Sequence, residues 1–282
     1  MIVERDLAHN LTIEIDDLVC NYLKNKVFTA CSTGIYCGNQ IREIVDEYFY
    51  GTAGDVHNEF YVDSESIFDL ASLTKPLVTV LSLLTLIEEG KCSPDDCLDK
   101  YFNSSVPPDK KTITLHQLLT HSSGLPAHRP YYEKLHGVKE ENRMGKVVDW
   151  ILAEELQCKP TTYTLYSDLG FILLGRIIEI VSGQSLDNYW NRNIINPLQL
   201  EKDLFFASKR EKDNNVYVPT GVCPWSNMSL YGLVHDDNCR ALGGVAGHAG
   251  LFGTIGGVLS LCRELLSLYH GQSDKLPVRG VT

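Results

Sequence analysis

The chain has 282 residues, 44% hydrophobic and 22% charged, which suits one large domain or two packed lobes and excludes a disordered or collagen-like chain. Lysine plus arginine number 25 against 36 aspartate plus glutamate, and the net charge of −11 repels phosphate backbones and anionic lipid, so neither a nucleic-acid nor a membrane partner is expected. The nine cysteines include no C-x-x-C, which predicts reduced thiols without a zinc site and, with no basic-then-apolar leader at the N-terminus, a cytoplasmic location.

In chain order, Ile13, Ile15, Leu18, Val19, Tyr22 and Leu23 recur near helical spacing among acids and predict an amphipathic helix over 13–26. Two β-branched and aromatic runs, Phe28 to Tyr36 and Ile41 to Tyr50, flank Cys37-Gly38-Asn39-Gln40 and predict a hairpin. Pro76 to Glu89 is apolar on most faces, with Thr79, Ser82 and Thr85 as a narrow polar stripe; it reads as a buried helix stopped by Gly90, and its apolar run to Ile87 is too short for a bilayer span. Short helices are predicted over 114–119, 146–156, 169–181 and 186–195, divided by proline, glycine and serine breaks. The stretch 203–250 is mixed and glycine-rich. A last helix is expected over 255–269, capped by Thr254, with a polar coil after it.

Ser72-Leu73-Thr74-Lys75 is the single S-x-x-K of the chain, about what 19 serines and 15 lysines give by chance. Its context adds meaning. Residues three apart share a helix face, so Lys75 can reach the Ser72 hydroxyl. Pro76 is tolerated near a helix start, which puts Ser72 close to unpaired N–H groups that favour developing negative charge. A lysine opening a buried apolar helix is poorly solvated, and desolvation favours its neutral, basic form. On local physics alone, Ser72 as a plain cap with Lys75 reaching water is the favoured reading, and Tyr166-Ser167-Asp168 reads as a packed aromatic with Asp168 as a helix cap. His116 and His121 miss the i, i+4 spacing of a zinc helix, and His235-Asp236-Asp237 has no G-x-S-x-G elbow to serve. Structural roles are expected for these histidines.

The segment Ile67 to Pro76 resembles the first motif of the serine β-lactamase and penicillin-binding-protein superfamily, in its class C-like branch of related hydrolases and esterases. Leu118 to Pro126, Tyr166 to Gly170 and Gly243 to Thr254 fit the same branch in order, so the resemblance runs over about residues 25–270. It implies an α/β (α+β) fold of the β-lactamase/transpeptidase type: an antiparallel sheet with flanking helices and an inserted helical lobe. The expected segments are 1–90, the first part of the mixed lobe with the nucleophile helix; 91–202, mainly helical; and 203–282, returning to the mixed lobe. The resemblance makes Ser72 the nucleophile of an acyl-enzyme, Lys75 the lysine that takes or relays its proton, and Tyr166 the tyrosine beside them, its phenol pushed toward the anion by a neighbouring ammonium. Asp168 stands where many relatives have a substrate-contacting asparagine. The implied substrate is a small ester, amide or β-lactam, with no metal and no organic cofactor.

A third motif, K-T-G or an H-x-G variant, supplies in this superfamily an inner strand and half of an oxyanion hole, the Ser72 N–H supplying the other half. His248-Ala249-Gly250 is expected not to be that strand, because the residues after it read as one helix and a coil, whereas two more strands and a helix follow the motif in relatives. The sheet is therefore expected to be incomplete, with an unpaired edge open to self-association. The rival reading is a catalytically impaired or non-catalytic relative acting as a binding or interaction module.

Overall fold

The computed structural model describes residues 2–39, 42–54, 59–102, 106–209, 215–223 and 227–278. The first helix, α1 (Ile2–Lys24), starts well before the predicted position and packs on the hairpin of β1 (Ala30–Asn39) and β2 (Arg42–Ala53). Its polar side chains secure that packing: the Thr12 hydroxyl lies 3.0 Å from the Tyr48 hydroxyl, and the Tyr50 hydroxyl donates to Asp16. In the antiparallel register Asn39 faces Arg42, so Cys37, Gly38 and Asn39 continue β1 instead of forming the turn. The last residue of the predicted turn, Gln40, lies outside the described residues. A two-residue β3 (Phe60–Tyr61) extends the sheet in the order β1-β2-β3, and among the described residues β1 has no strand on its other side.

The buried helix begins irregularly. A tight turn over Ala71–Leu73 leads into a widened turn over Lys75–Val80 and then into α2 (Leu81–Glu88). Proline at position 76 has no N–H to donate, which explains the break in regular helix pairing there. The polar stripe is fully buried: Thr79 donates to the Gly247 carbonyl at 2.7 Å and Thr85 to that of Leu81 at 2.9 Å, whereas the Ser82 hydroxyl meets no partner among the described residues. Gly90, at φ +69°, ends the helix, with its own N–H on the Ile87 carbonyl and that of Lys91 on Leu86. Residues 71–88 are long and apolar enough by composition to cross a bilayer, which the twelve-residue count at 76–87 understated, and 56% of that stretch is buried inside the protein.

Helices α3 (Leu98–Phe102), α4 (Leu115–Leu119), α5 (Glu140–Ala153), α6 (Asp168–Ser182), α7 (Leu186–Trp190) and α8 (Asn196–Leu198) follow. A reciprocal Thr114–Gln117 box opens α4, and Ser167 caps α6. The main core gathers around α2 and α6; Trp190 is fully buried there and donates from Nε1 to the Leu77 carbonyl at 2.8 Å.

The glycine-rich stretch contributes β5 (Leu204–Phe206) and α9 (Asp237–Ala241), and β6 (Leu251–Gly253) follows it directly. With β4 (Phe68–Asp69) these strands make a second antiparallel sheet in the order β4-β6-β5. Helix α10 (Ile255–Tyr269) lies on β1, where Gly34 leaves room for Leu259 and Ile255. Its cap is the expected Thr254, which accepts the Gly257 N–H at 3.1 Å and also meets Asp203 at 3.3 Å. Thr254→Ala is expected to destabilise the protein by about 1 kcal/mol and lower the thermal midpoint by about 2–4 °C. A melt indistinguishable from wild type would mean that the backbone bond from Thr254 to Asp203, at 3.0 Å, already fixes this end.

Candidate active site

The turn carrying Ser72 is held from three sides. Ala71 sits at φ +46°, a left-handed conformation unfavourable for a residue with a Cβ. The Asp69 carboxylate accepts the Ala71 N–H at 2.9 Å, and Thr74 donates to the Ala71 carbonyl at 2.6 Å. Thr74 also accepts the Leu251 N–H at 3.1 Å, and the Leu70 N–H reaches the Leu251 carbonyl at 2.8 Å, so β6 clamps the turn. Burial pushes the Asp69 carboxyl up, against the N–H groups of His235 and Ala71 that favour its anion. Ser72 itself is exposed, and among the described residues no protein acceptor takes its N–H.

In this tight turn side chains three apart eclipse, and Lys75 Nζ lies 3.0 Å from Ser72 Oγ. Lys75 is only 3% exposed. Its ammonium has three hydrogens and meets three acceptors: Ser72 Oγ, the His248 carbonyl at 3.1 Å and Asp168 Oδ1 at 2.7 Å. The expectation of a neutral, desolvated amine meets a different arrangement, because a carboxylate 93 positions away in the chain supplies the missing counter-charge.

Both residues of the second motif lie at this point. The ammonium sits over the Tyr166 ring, 4.8 Å from its centre, and over Phe171 at 5.8 Å; no hydrogen bond joins it to the Tyr166 hydroxyl. Asp168 heads α6 and points inward at Lys75, while its second oxygen is 3.5 Å from His128 Nδ1. The motif is fixed through its backbone and Ser167: the Asp168 N–H reaches the Ala127 carbonyl at 2.9 Å, and Ser167 donates to that of Pro126 at 2.7 Å.

Two histidines belong to the surroundings of Lys75. His121 Nδ1 accepts the Ser167 N–H at 3.0 Å and its ring packs on Tyr166 with centres 4.5 Å apart. Burial, aided by the Lys75 charge, pulls His121 below the usual histidine range, which matches its acceptor role. The positioning part it plays agrees with the structural role expected from spacing; His116 is exposed. His248 is buried, and its Nε2 lies 2.9 Å from Asp236, the cap of α9. Burial works to raise the Asp236 carboxyl, but the bond and charge of His248 and the Cys239 N–H overcome it and hold Asp236 well below the carboxylate range. The segment Ala246–Ala249 is a loop entering β6 and not a strand of the β1-β2-β3 sheet. Among the described residues no group of three or more His, Cys, Asp or Glu is placed to hold a metal.

His128 as a neighbour of Asp168 and His248 as a neighbour of Lys75 were beyond sequence reasoning. His128 carries no motif, and His248 reaches Lys75 through its carbonyl, which any residue possesses. The one local signal was the glycine on each side of His248-Ala249, marking a close backbone approach.

A serine–lysine pair on a strained turn, clamped by β6 and meeting the head of α6, in a chain with two antiparallel sheets and a helical core, defines a protein of the serine β-lactamase/transpeptidase class. The chain belongs to the Beta-lactamase family, which it matches over residues 35–278. It is 34% identical over 221 residues to the "Putative D-alanyl-D-alanine carboxypeptidase" of Escherichia coli (strain K12), covering 72% of this chain and 51% of that protein. A protein of the same description from Salmonella agona (strain SL483) is 30% identical over 223 residues, covering 72% and 52%. The chain thus spans about half the length of the curated relatives it matches. Among solved structures, a class C β-lactamase from Rhodobacter sphaeroides superposes with a TM-score of 0.68 at 20% identity, covering 92% of this chain and 66% of that one. A β-lactamase/D-alanine carboxypeptidase from Pseudomonas syringae gives 0.72 at 17% identity, covering 96% and 68%. These likenesses show the fold.

Proposed function

We propose that the chain is a serine hydrolase in which Ser72 Oγ attacks an acyl carbon to form an acyl-serine that water then hydrolyses. The observation that carries this reading is the buried Lys75 ammonium, 3.0 Å from Ser72 Oγ and paired with Asp168. As Oγ bonds to the acyl carbon, its proton passes to the Lys75–Asp168 pair, and the leaving group takes a proton from the same pair. Asp168 thereby serves Lys75 and not a substrate amide. The Ser72 N–H offers one donor to the developing oxyanion. Tyr166, half exposed, lines the site with its ring against the Lys75 ammonium. The substrate class is an amide or β-lactam, on the strength of relatives described as D-alanyl-D-alanine carboxypeptidases and β-lactamases. Small esters fit the same attack.

Intact-protein mass spectrometry after exposure to a fluorophosphonate, and separately to a penicillin, tests the reading. Wild type is expected to gain one adduct and Ser72→Ala none, both proteins having matching circular dichroism. An adduct that persists in Ser72→Ala, or no adduct on folded wild type with either reagent, would overturn it.

A further inference from the structure

We propose that His128 is a positioning residue that sets the charge on Asp168, so that Ser72 acylation is switched off when His128 is protonated. The inference rests on the acyl-serine reading above. Lys75 holds three hydrogens on three acceptors, so it can receive the Ser72 proton only after giving one of its own away. Of the three acceptors, the Asp168 carboxylate is the one that becomes a stable acid by taking it. The balanced step moves one proton from Lys75 Nζ to Asp168 Oδ1 and the Ser72 proton to Lys75, while Oγ bonds to the acyl carbon. Departure of the leaving group returns the balance: Lys75 protonates it and recovers the proton from Asp168.

His128 faces the second oxygen of that carboxylate, with Nδ1 3.5 Å from Asp168 Oδ2. A cationic ring there stabilises the Asp168 anion and opposes the proton transfer from Lys75; a neutral ring does not. The other groups around His128 act in a consistent sense. Asp236, at the start of α9, feels the His128 charge and grips the ring of His248, whose carbonyl is another of the Lys75 acceptors. Two carboxylates on two helices therefore feel the charge at His128, and each of them leads to Lys75. Arg129, next in the chain, is turned away, with its guanidinium on Glu154 and on the His128 carbonyl. His128 is half exposed, so bulk pH reaches it directly.

The experiment follows the rate of fluorophosphonate labelling of Ser72, read by mass spectrometry, from pH 5 to 8. Histidine side chains change charge across about pH 5–8, so the wild-type rate is expected to fall about tenfold toward the acid end. His128→Gln, neutral at every pH, is expected to lose most of that fall and vary by no more than about twofold. His128→Lys, a fixed cation, is expected to label about tenfold more slowly than wild type at pH 8. His128→Asn is a second neutral variant, and circular dichroism with a thermal melt checks the fold of each. An acid fall in both neutral variants equal to that of wild type overturns the proposal, whatever their absolute rates. Wild type that labels at Ser72 with no acid fall overturns it while leaving the acyl-serine reading intact. Absence of Ser72 labelling in wild type overturns both.

Discussion

Asp168→Ala is expected to slow Ser72 labelling by about a hundredfold or more and to destabilise the protein by about 3 kcal/mol. The stability loss follows from which partner is left behind. Lys75 is 4% exposed at its side chain and Asp168 19%, so removing the carboxylate strands an ammonium that water cannot reach. Removing the lysine instead strands an acid that water can partly solvate and that His128 still faces. Lys75→Met should therefore be the milder change in stability, by about 1 kcal/mol, although it too abolishes the proton path. The double variant Lys75→Met/Asp168→Ala should recover much of the loss seen in Asp168→Ala, because no charge remains buried. Urea unfolding of the four proteins measures all of these terms. If the double variant is as unstable as the sum of the two single ones, the ion pair is not the source of the effect. Asp168→Asn keeps an acceptor for Lys75 without the charge, and its smaller loss would separate hydrogen bonding from charge pairing.

That ion pair also marks the boundary of what the sequence made legible. The Ser72–Lys75 contact is local, fixed by a spacing of three on a helical turn, and so could be read directly. The α10 cap at Thr254 and the stop at Gly90 are local as well, and α6 and α10 were located to within a residue; the α6 cap expected at Asp168 falls instead on Ser167, which leaves the Asp168 carboxylate to Lys75. The hairpin was legible but its turn was not, since strand pairing continued through Gly38 and Asn39, residues whose composition alone favours a turn. The strands β4, β5 and β6 have two or three residues each, too few to show a period; β4 meets β6 across more than 180 positions and β5 meets it across more than forty. The partners of Lys75 from Asp168 and His248 depend on how α6 and the loop before β6 settle against α2. Nothing in the spacing of either residue announces that. Family resemblance supplied Tyr166 and Asp168 as residues near the nucleophile. It did not supply the direction in which Asp168 points or the histidine behind it.

The loop that brings His248 to Lys75 depends on one glycine, and Gly247→Ala is the substitution expected to damage the fold most for its size. A Cβ on Gly247 would lie 2.1 Å from the Phe171 carbonyl oxygen and 2.9–3.0 Å from the backbone of Gly175, both on α6. All of these are main-chain atoms of a buried helix, so no side-chain rotation relieves the contact. The pairing is reciprocal: a Cβ on Gly175 would meet Gly247 at 2.9–3.0 Å, and two glycines let the loop cross the helix backbone to backbone. Relief requires the loop to lift, which would break the bond from Thr79 to the Gly247 carbonyl at 2.7 Å and withdraw the adjacent His248 carbonyl from Lys75. The expected result is a loss of about 3 kcal/mol, lowering the thermal midpoint by roughly 6–12 °C. Labelling of Ser72 should drop with it even at temperatures where the variant is folded, because one of the three Lys75 hydrogens loses its acceptor. Gly175→Ala should act in the same direction on both readouts, since it pushes on the same crossing from the other side. Were Gly247→Ala to melt like wild type and label at the same rate, the loop would have to pass α6 with more clearance than the 2.1 Å approach allows. The crossing could not then be what sets the position of the His248 carbonyl.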